Sequence, residues 1–199
     1  MKNIVIAQSG GPTAVINNSI RGAIDELILS KKIDKIYGAE MGILGILKEE
    51  LIDISAQEPH QIALLAETPS AGTIGSCRYK IKSNEDLARI IKVFKKHNVG
   101  YFFYCGGGDS MDTANKINEL AKQNNLELIC TGIPKTIDND VGGLLQSDGT
   151  FAVCDHNPGY GSVARNLAIN ILEANEENKA SYTSDPVLVI GVMGRKIGF

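Results

Sequence analysis

A chain of 199 residues, 43% hydrophobic and 22% charged, can bury a core of ordinary size, which excludes a disordered or low-complexity protein. Twenty Lys and Arg against 23 Asp and Glu leave a formal charge of −3, so no broad basic field draws in nucleic acid, and an anionic ligand must be held by local cations and backbone amides. No run reaches transmembrane length and the apolar start is too short for a secretion signal; Cys77, Cys105, Cys130 and Cys154 lack the close spacing of metal or redox motifs, so the chain reads as a cytoplasmic protein with reduced core thiols and no membrane partner.

In chain order, an apolar run at residues 4–7 opens into Ser9-Gly10-Gly11-Pro12-Thr13, after which Val15, Ile16, Ile20, Ile24, Leu27 and Ile28 recur at helical spacing. The pattern predicts strand, glycine loop, helix. Such a loop either brings amides and a helix N-terminus up to a phosphate or is simply a tight turn. Residues 35–39 predict a second strand, and glycines 42 and 45 predict a hydrophobic loop over residues 41–47. In Gly72-Thr73-Ile74-Gly75-Ser76-Cys77-Arg78 the arginine is either an anion ligand or a surface charge.

A second unit of the same kind follows. A capped helix over residues 84–96 leads to an aromatic-rich strand at 99–105, which empties into Gly106-Gly107-Gly108-Asp109-Ser110 and a helix with Ala114, Ile117 and Leu120 on one face. Here Ser110 is the expected helix cap, and Asp109 adds a carboxylate where a phosphate-bound metal can sit.

Residues 126–133 predict a buried strand that delivers Pro134-Lys135-Thr136-Ile137-Asp138-Asn139-Asp140, the densest polar stretch of the chain. Beyond the carboxyl end of a strand in an open α/β sheet, two carboxylates beside an ammonium suit proton removal from an alcohol; the same composition also fits an Asx-rich loop that caps a helix. Gly159-Tyr160-Gly161-Ser162 then starts a helix striped with Val163, Leu167, Ile171 and Leu172, and residues 186–192 predict a last strand ending at Met193-Gly194-Arg195. His156, His60 and His97 carry no partner motif and read as structural or surface residues. Strands alternating with helices predict an α/β fold with a doubly wound, mainly parallel sheet flanked by helices.

Taken in order, Gly10-Gly11, Gly-Thr-Ile-Gly-Ser-Cys-Arg, Gly-Gly-Gly-Asp-Ser, Pro-Lys-Thr-Ile-Asp-Asn-Asp, Gly-Tyr-Gly-Ser and Met-Gly-Arg resemble the phosphofructokinase family over the whole of residues 1–199. The resemblance implies phosphoryl transfer to the 1-hydroxyl of fructose 6-phosphate, a glycolytic step giving fructose 1,6-bisphosphate, with Mg2+ and two α/β domains meeting at a cleft. It implies Asp138 as the base, with Thr136, Ile137, Asp138, Asp140, Met193, Gly194 and Arg195 on the sugar phosphate. Gly11, Gly107, Gly108, Asp109 and Ser110 are implied on the donor, and Arg78 on the transferred group.

Asp109 and Lys135 stand where ATP-using relatives generally have glycine, so the chain is similar to the pyrophosphate-using branch. An aspartate there repels a nucleotide α-phosphate, while a lysine draws in a small diphosphate. Gly108 replaces the family's usual metal-linked acid, which leaves Asp109, or the diphosphate and water alone, to hold magnesium. An ATP-dependent enzyme and a non-catalytic sugar-phosphate-binding homologue remain the alternatives. The expected organisation of residues 1–199 is a donor-binding α/β domain with the start of the acceptor side, a second α/β domain missing, and a homo-oligomer at full length.

Overall fold

The structure, a computed structural model, describes residues 1–68, 73–81, 83–141, 147–149 and 156–192. The chain divides into two compact units, Met1–Lys135 and Thr136–Phe199. Met193, Gly194 and Arg195, together with Gly72 and Cys154, lie outside the described residues.

The first unit is built on a five-stranded sheet in the order β3-β2-β1-β4-β5, with β1 Lys2–Gln8, β2 Ile33–Ala39, β3 Leu51–Asp53, β4 Val99–Gly106 and β5 Ile129–Pro134. All neighbours run parallel except β3, which pairs antiparallel with β2. Successive side chains of β1 feed opposite faces, as a strand requires. Val5 and Ala7 join one apolar cluster with Phe94, Phe102, Tyr104 and Ile117, while Ile4 and Ile6 join another with Ile16, Ile20 and Ile24. Helices therefore cover both faces: α1 (Ala14–Leu29) contributes to the second cluster, and α2 (Ile43–Lys48), α4 (Asn84–Lys96) and α5 (Gly108–Gln123) to the first. A short α3, Pro59–Ala63, adds Ile62 beneath α1.

The order has a consequence for function. The chain steps from β1 to β2 on one side and later enters β4 on the other, so β1 and β4 are neighbours whose following segments leave in opposite directions. Ligands of such sheets collect at that reversal, beyond the strands' carboxyl ends. Both glycine loops start there.

Local sequence accounts for the elements. Helix α4 begins at Ser83, whose Oγ accepts from Asp86 N at 3.2 Å; Glu85 and Asp86 occupy its first turn and Lys95 and Lys96 its last, each favourable to the helix dipole. Residues 41–47, expected as a loop, contain most of α2 instead. The glycines there serve close packing rather than flexibility, since a Cβ on Gly45 would lie 2.7 Å from Glu40 N. The helix ends at Glu49 in the left-handed region, φ 67°. Glu49 gathers Arg89 Nη2 at 3.2 Å, His97 Nε2 at 2.8 Å and the Lys96 ammonium, and Lys96 and His97 hold its carboxyl down at about 2.

Strand β5 is shorter than the expected 126–133 and forms a sheet edge, with Ile129 56% exposed, so it is not a buried strand. In the second unit, α6 (Tyr160–Ser181) forms where the Gly-Tyr-Gly-Ser motif predicts a helix start, yet no residue of α6 is buried. Residues 186–192, expected as a strand, form none, and Val187 and Val189 are 76% and 87% exposed. An apolar run becomes a strand only beside another strand's free edge, and among the described residues of this unit there is no other strand. No helix of the described residues is long and apolar enough to cross a membrane.

Candidate functional site

Within the first unit the two glycine loops and the end of β5 converge. The β1 loop is stitched to the segment carrying Arg78: Ser9 bridges to Cys77, Gly10 N donates to Cys77 O at 2.9 Å, and Ser76 Oγ donates to Gly10 O at 2.8 Å. On the other side Ser9 N donates to Cys105 O at 2.8 Å, tying the same loop to β4. Gly10 adopts φ 82°, the left-handed conformation that glycine enters without a Cβ penalty.

Two cations approach this turn. Lys135, only 4% exposed, donates from Nζ to Gly11 O at 2.7 Å, and its own N–H donates to Gly106 O at 2.8 Å. Arg78 stands exposed beside the same turn, and a Cβ on Gly11 would lie 3.2 Å from Arg78 Nη2. Ammonium and guanidinium thus both lie close to the Gly10-Gly11 turn, where the positive φ of Gly10 favours glycine. Burial pushes the neighbouring Cys105 thiol up to about 12, with the Lys135 charge pulling the other way. A thiol so raised stays neutral near pH 7.

The third component is the N-terminus of α5. Gly107 is its N-cap, and Ser110 N donates back to Gly107 O at 3.0 Å. The expected capping role of Ser110 is replaced by another: its buried Oγ hydrogen-bonds Ser9 Oγ, locking the two loops together. Gly106 is what permits this, because a Cβ there would lie 2.6 Å from Ser110 Cβ and 2.7 Å from Ser9 Oγ. Gly107 lies beside Lys135, its would-be Cβ 3.8 Å from Lys135 O. The first amides of a helix point past its N-cap and favour anions, so α5 adds donors to those of the β1 loop.

Asp109 sits in that first turn, and the Lys80 ammonium meets its Oδ2 at 2.9 Å. Its charge is accordingly compensated rather than bare. Among the described residues no three His, Cys, Asp or Glu side chains gather to hold a metal. This donor set does not fit an all-protein magnesium cage. It fits an ion that arrives on phosphate oxygens, keeps most of its waters and uses at most one carboxylate.

The rest of the polar stretch belongs to the second unit. Thr136 Oγ1 accepts from Asp138 N at 3.1 Å, fixing the backbone that carries Asp138. Asn139 turns the chain at φ 55°, and its Oδ1 accepts from Asn157 N at 2.6 Å. Asn157 in turn brackets Val141, accepting from its N–H at 2.9 Å and donating to its carbonyl. The segment 136–141 is therefore anchored next to the start of α6, and Ile137 and Asp140 are carried on it; Asp140 is exposed. Sequence reasoning missed Lys80, Ser9 and Asn157. Only Asn157 had a legible signal, as an Asn ahead of a Pro-Gly helix start.

The family description Phosphofructokinase matches residues 3–199. The chain is 45% identical to a pyrophosphate--fructose 6-phosphate 1-phosphotransferase of Xanthomonas campestris pv. campestris, the match covering 99% of this chain and 45% of that protein. It is 42% identical to the protein of the same name from Halomonas elongata, covering 99% of this chain and 46% of the relative. A crystal structure of a pyrophosphate-dependent phosphofructokinase from Marinobacter aquaeolei superposes with a TM-score of 0.80 at 43% identity, covering 92% of this chain and 43% of that one. The chain spans under half the length of these relatives. With its mainly parallel sheet, paired glycine loops and a family match over residues 3–199, the chain belongs to the phosphofructokinase family.

Proposed function

We propose that the protein moves a phosphoryl group from pyrophosphate to the 1-hydroxyl of fructose 6-phosphate, giving fructose 1,6-bisphosphate and phosphate. The observation that carries this reading is the buried Lys135 ammonium closed onto Gly11 O, with Arg78 beside the same turn. One buried lysine, an exposed arginine and a helix N-terminus near a Gly-Gly turn suit a compact, highly charged diphosphate. The names of the relatives agree with that donor.

In the reaction, the sugar hydroxyl loses its proton to the Asp138 carboxylate as its oxygen bonds to the terminal phosphorus, and the bridging P–O bond breaks to release phosphate. Arg78 and Lys135 offset the charge spread over the transferring group, which is most of what phosphoryl transfer asks of a protein. Magnesium, bound to the diphosphate, would neutralise charge on its oxygens, with Asp109 as the one carboxylate available to it in the α5 loop. Thr136, Ile137 and Asp140 surround the base in sequence and, with Met193, Gly194 and Arg195, make up the proposed sugar-phosphate contacts.

The test is turnover of fructose 6-phosphate by the natural full-length chain with pyrophosphate or ATP as sole donor. Activity with pyrophosphate is expected. Activity with ATP alone overturns the donor assignment, and activity with neither, together with calorimetric binding of the sugar phosphate, identifies a non-catalytic homologue.

A further inference from the structure

Gln8 closes β1, the middle strand of the sheet, and is fully buried, yet among the described residues neither its Nε2 nor its Oε1 meets a hydrogen-bond partner. Both ends of the amide are unpartnered, so turning it over changes nothing. Strand alternation puts Gln8 on the side of Ile4 and Ile6, whose cluster includes Ile16, Ile20 and Ile24 of α1. Cys105, its partner in the β1-β4 register, belongs to the same cluster and offers only a thiol. Four residues, Ser9 to Pro12, carry the chain from Gln8 back to Thr13, the N-cap of α1. Thr13 Oγ1 is also buried and also meets no partner among the described residues; it makes none of the side-chain bonds by which an N-cap usually satisfies the first amides of its helix. Asn17, one turn further along α1, shows the contrast: fully buried, it donates from Nδ2 to Thr68 O at 3.3 Å and to Thr68 Oγ1 at 3.1 Å.

A buried amide stripped of water and given nothing in return is costly, and native proteins satisfy nearly all such groups with protein or with ordered water. The Gln8 amide brings donor hydrogens and an acceptor oxygen, and the Thr13 hydroxyl can donate and accept. That set is neutral and works in both directions, which matches water; an anion or a cation needs partners of one kind. We propose that the end of β1 and the N-cap of α1 hold an internal water, hydrogen-bonded to the Gln8 amide and shared with Thr13 Oγ1. Such a water bridges the two ends of the Gly10-Gly11 loop, whichever donor that loop takes.

A high-resolution crystal structure of the natural full-length chain tests this directly: a water within about 3 Å of both the Gln8 amide and Thr13 Oγ1 is expected. A dry amide, an amide bonded to protein alone, or a water that reaches only one of the two residues overturns the site. Urea unfolding of the same chain supplies an independent reading. Gln8→Met keeps the length of the side chain and removes both polar atoms. With the water in place, that substitution leaves it and Thr13 short of a partner, and the unfolding equilibrium constant is expected to rise about five- to fifty-fold. A dry amide gives the opposite sign, because an apolar side chain of that shape then suits the site better, so a urea midpoint unchanged or raised in Gln8→Met overturns the proposal. Thr13→Val is expected to lower the midpoint in the parent, and by less than about half as much in the Gln8→Met background, where the shared water is already lost. Equal losses in the two backgrounds overturn the sharing.

Discussion

Phe94 and Phe102 of the first unit are sealed from solvent with ring centroids 5.3 Å apart, whereas Ile169, Ile171 and Leu172 on α6 of the second are 44%, 41% and 65% exposed. Both sets come from apolar residues at helical or strand spacing, so periodicity alone does not distinguish them. What differs is the neighbour: α4 and β4 face each other across a sheet with two covered sides, while α6 buries none of its residues. The loops follow the same division. The Gly10 and Gly106 turns are held by backbone bonds to β4 and to the Cys77 segment together with Ser76, Lys135 and a shared serine pair, whereas the bonds described for the Asp138 turn come from side chains, Thr136, Asn139 and Asn157. The proposed donor grip and the proposed base thus lie in different units and should fail separately.

The sharpest way to break this contrast is Asp138→Asn, which keeps size and hydrogen bonding but removes proton acceptance. In the natural full-length chain kcat should fall by about 10²–10⁴-fold, while pyrophosphate affinity by calorimetry stays within about two-fold. If affinity falls in step with kcat, the two functions are not separable. Next in size is a paired truncation read by urea unfolding. Phe102→Ala should cost roughly 3–5 kcal/mol, and Leu172→Ala under about 0.5 kcal/mol. Comparable losses would mean that α6 is as well packed in solution as β4.

The smallest effect concerns a staple present in the first unit alone. Hydrogen bonds from Lys96 and His97 lower the Glu49 carboxyl from 4.5 to about 2, so its contribution to stability is complete above pH 4.5 and is lost as pH falls toward 2. Glu49→Gln should therefore unfold at lower urea than the parent at pH 7, with the gap narrowing below pH 4.5 and closing near pH 2. A gap that is constant across that window removes the carboxylate as its cause.

Much of the first unit was legible because its signals are local. Apolar runs ending in Ser-Gly-Gly and Gly-Gly-Gly-Asp-Ser mark strand-to-helix turns, and β1, β4, α1, α4 and α5 lie where those signals put them. The residues proposed for the donor, Gly11, Arg78, Lys135, Gly107 and Ser110, lie near one turn. The misses are long-range. Helix α2 hides behind glycines that admit close neighbours, Gln8 at Gly42 and Glu40 at Gly45, and residues 186–192 have strand composition without a strand to pair with among the described residues of their unit. Lys80 was invisible because nothing in Arg78-Tyr79-Lys80 says which of its charges reaches α5. Ser110 looked like a cap because caps are a local rule, while its actual partner, Ser9, is far away in sequence.

That last bond bears on how the protein acquires its site. Ser9 and Ser110 are 101 positions apart, and the turn they lock rests on β1 pairing with β4. No fragment that folds early through local contacts can contain this locked turn; it comes into being only after a long, slow closure of the chain. Amides of the turn should then exchange with solvent through global opening rather than local fraying, and a bound diphosphate should slow them all together. On the proposed function, a diphosphate bound at this turn would clasp the finished sheet, and the capacity to bind it would certify that the nascent chain has folded.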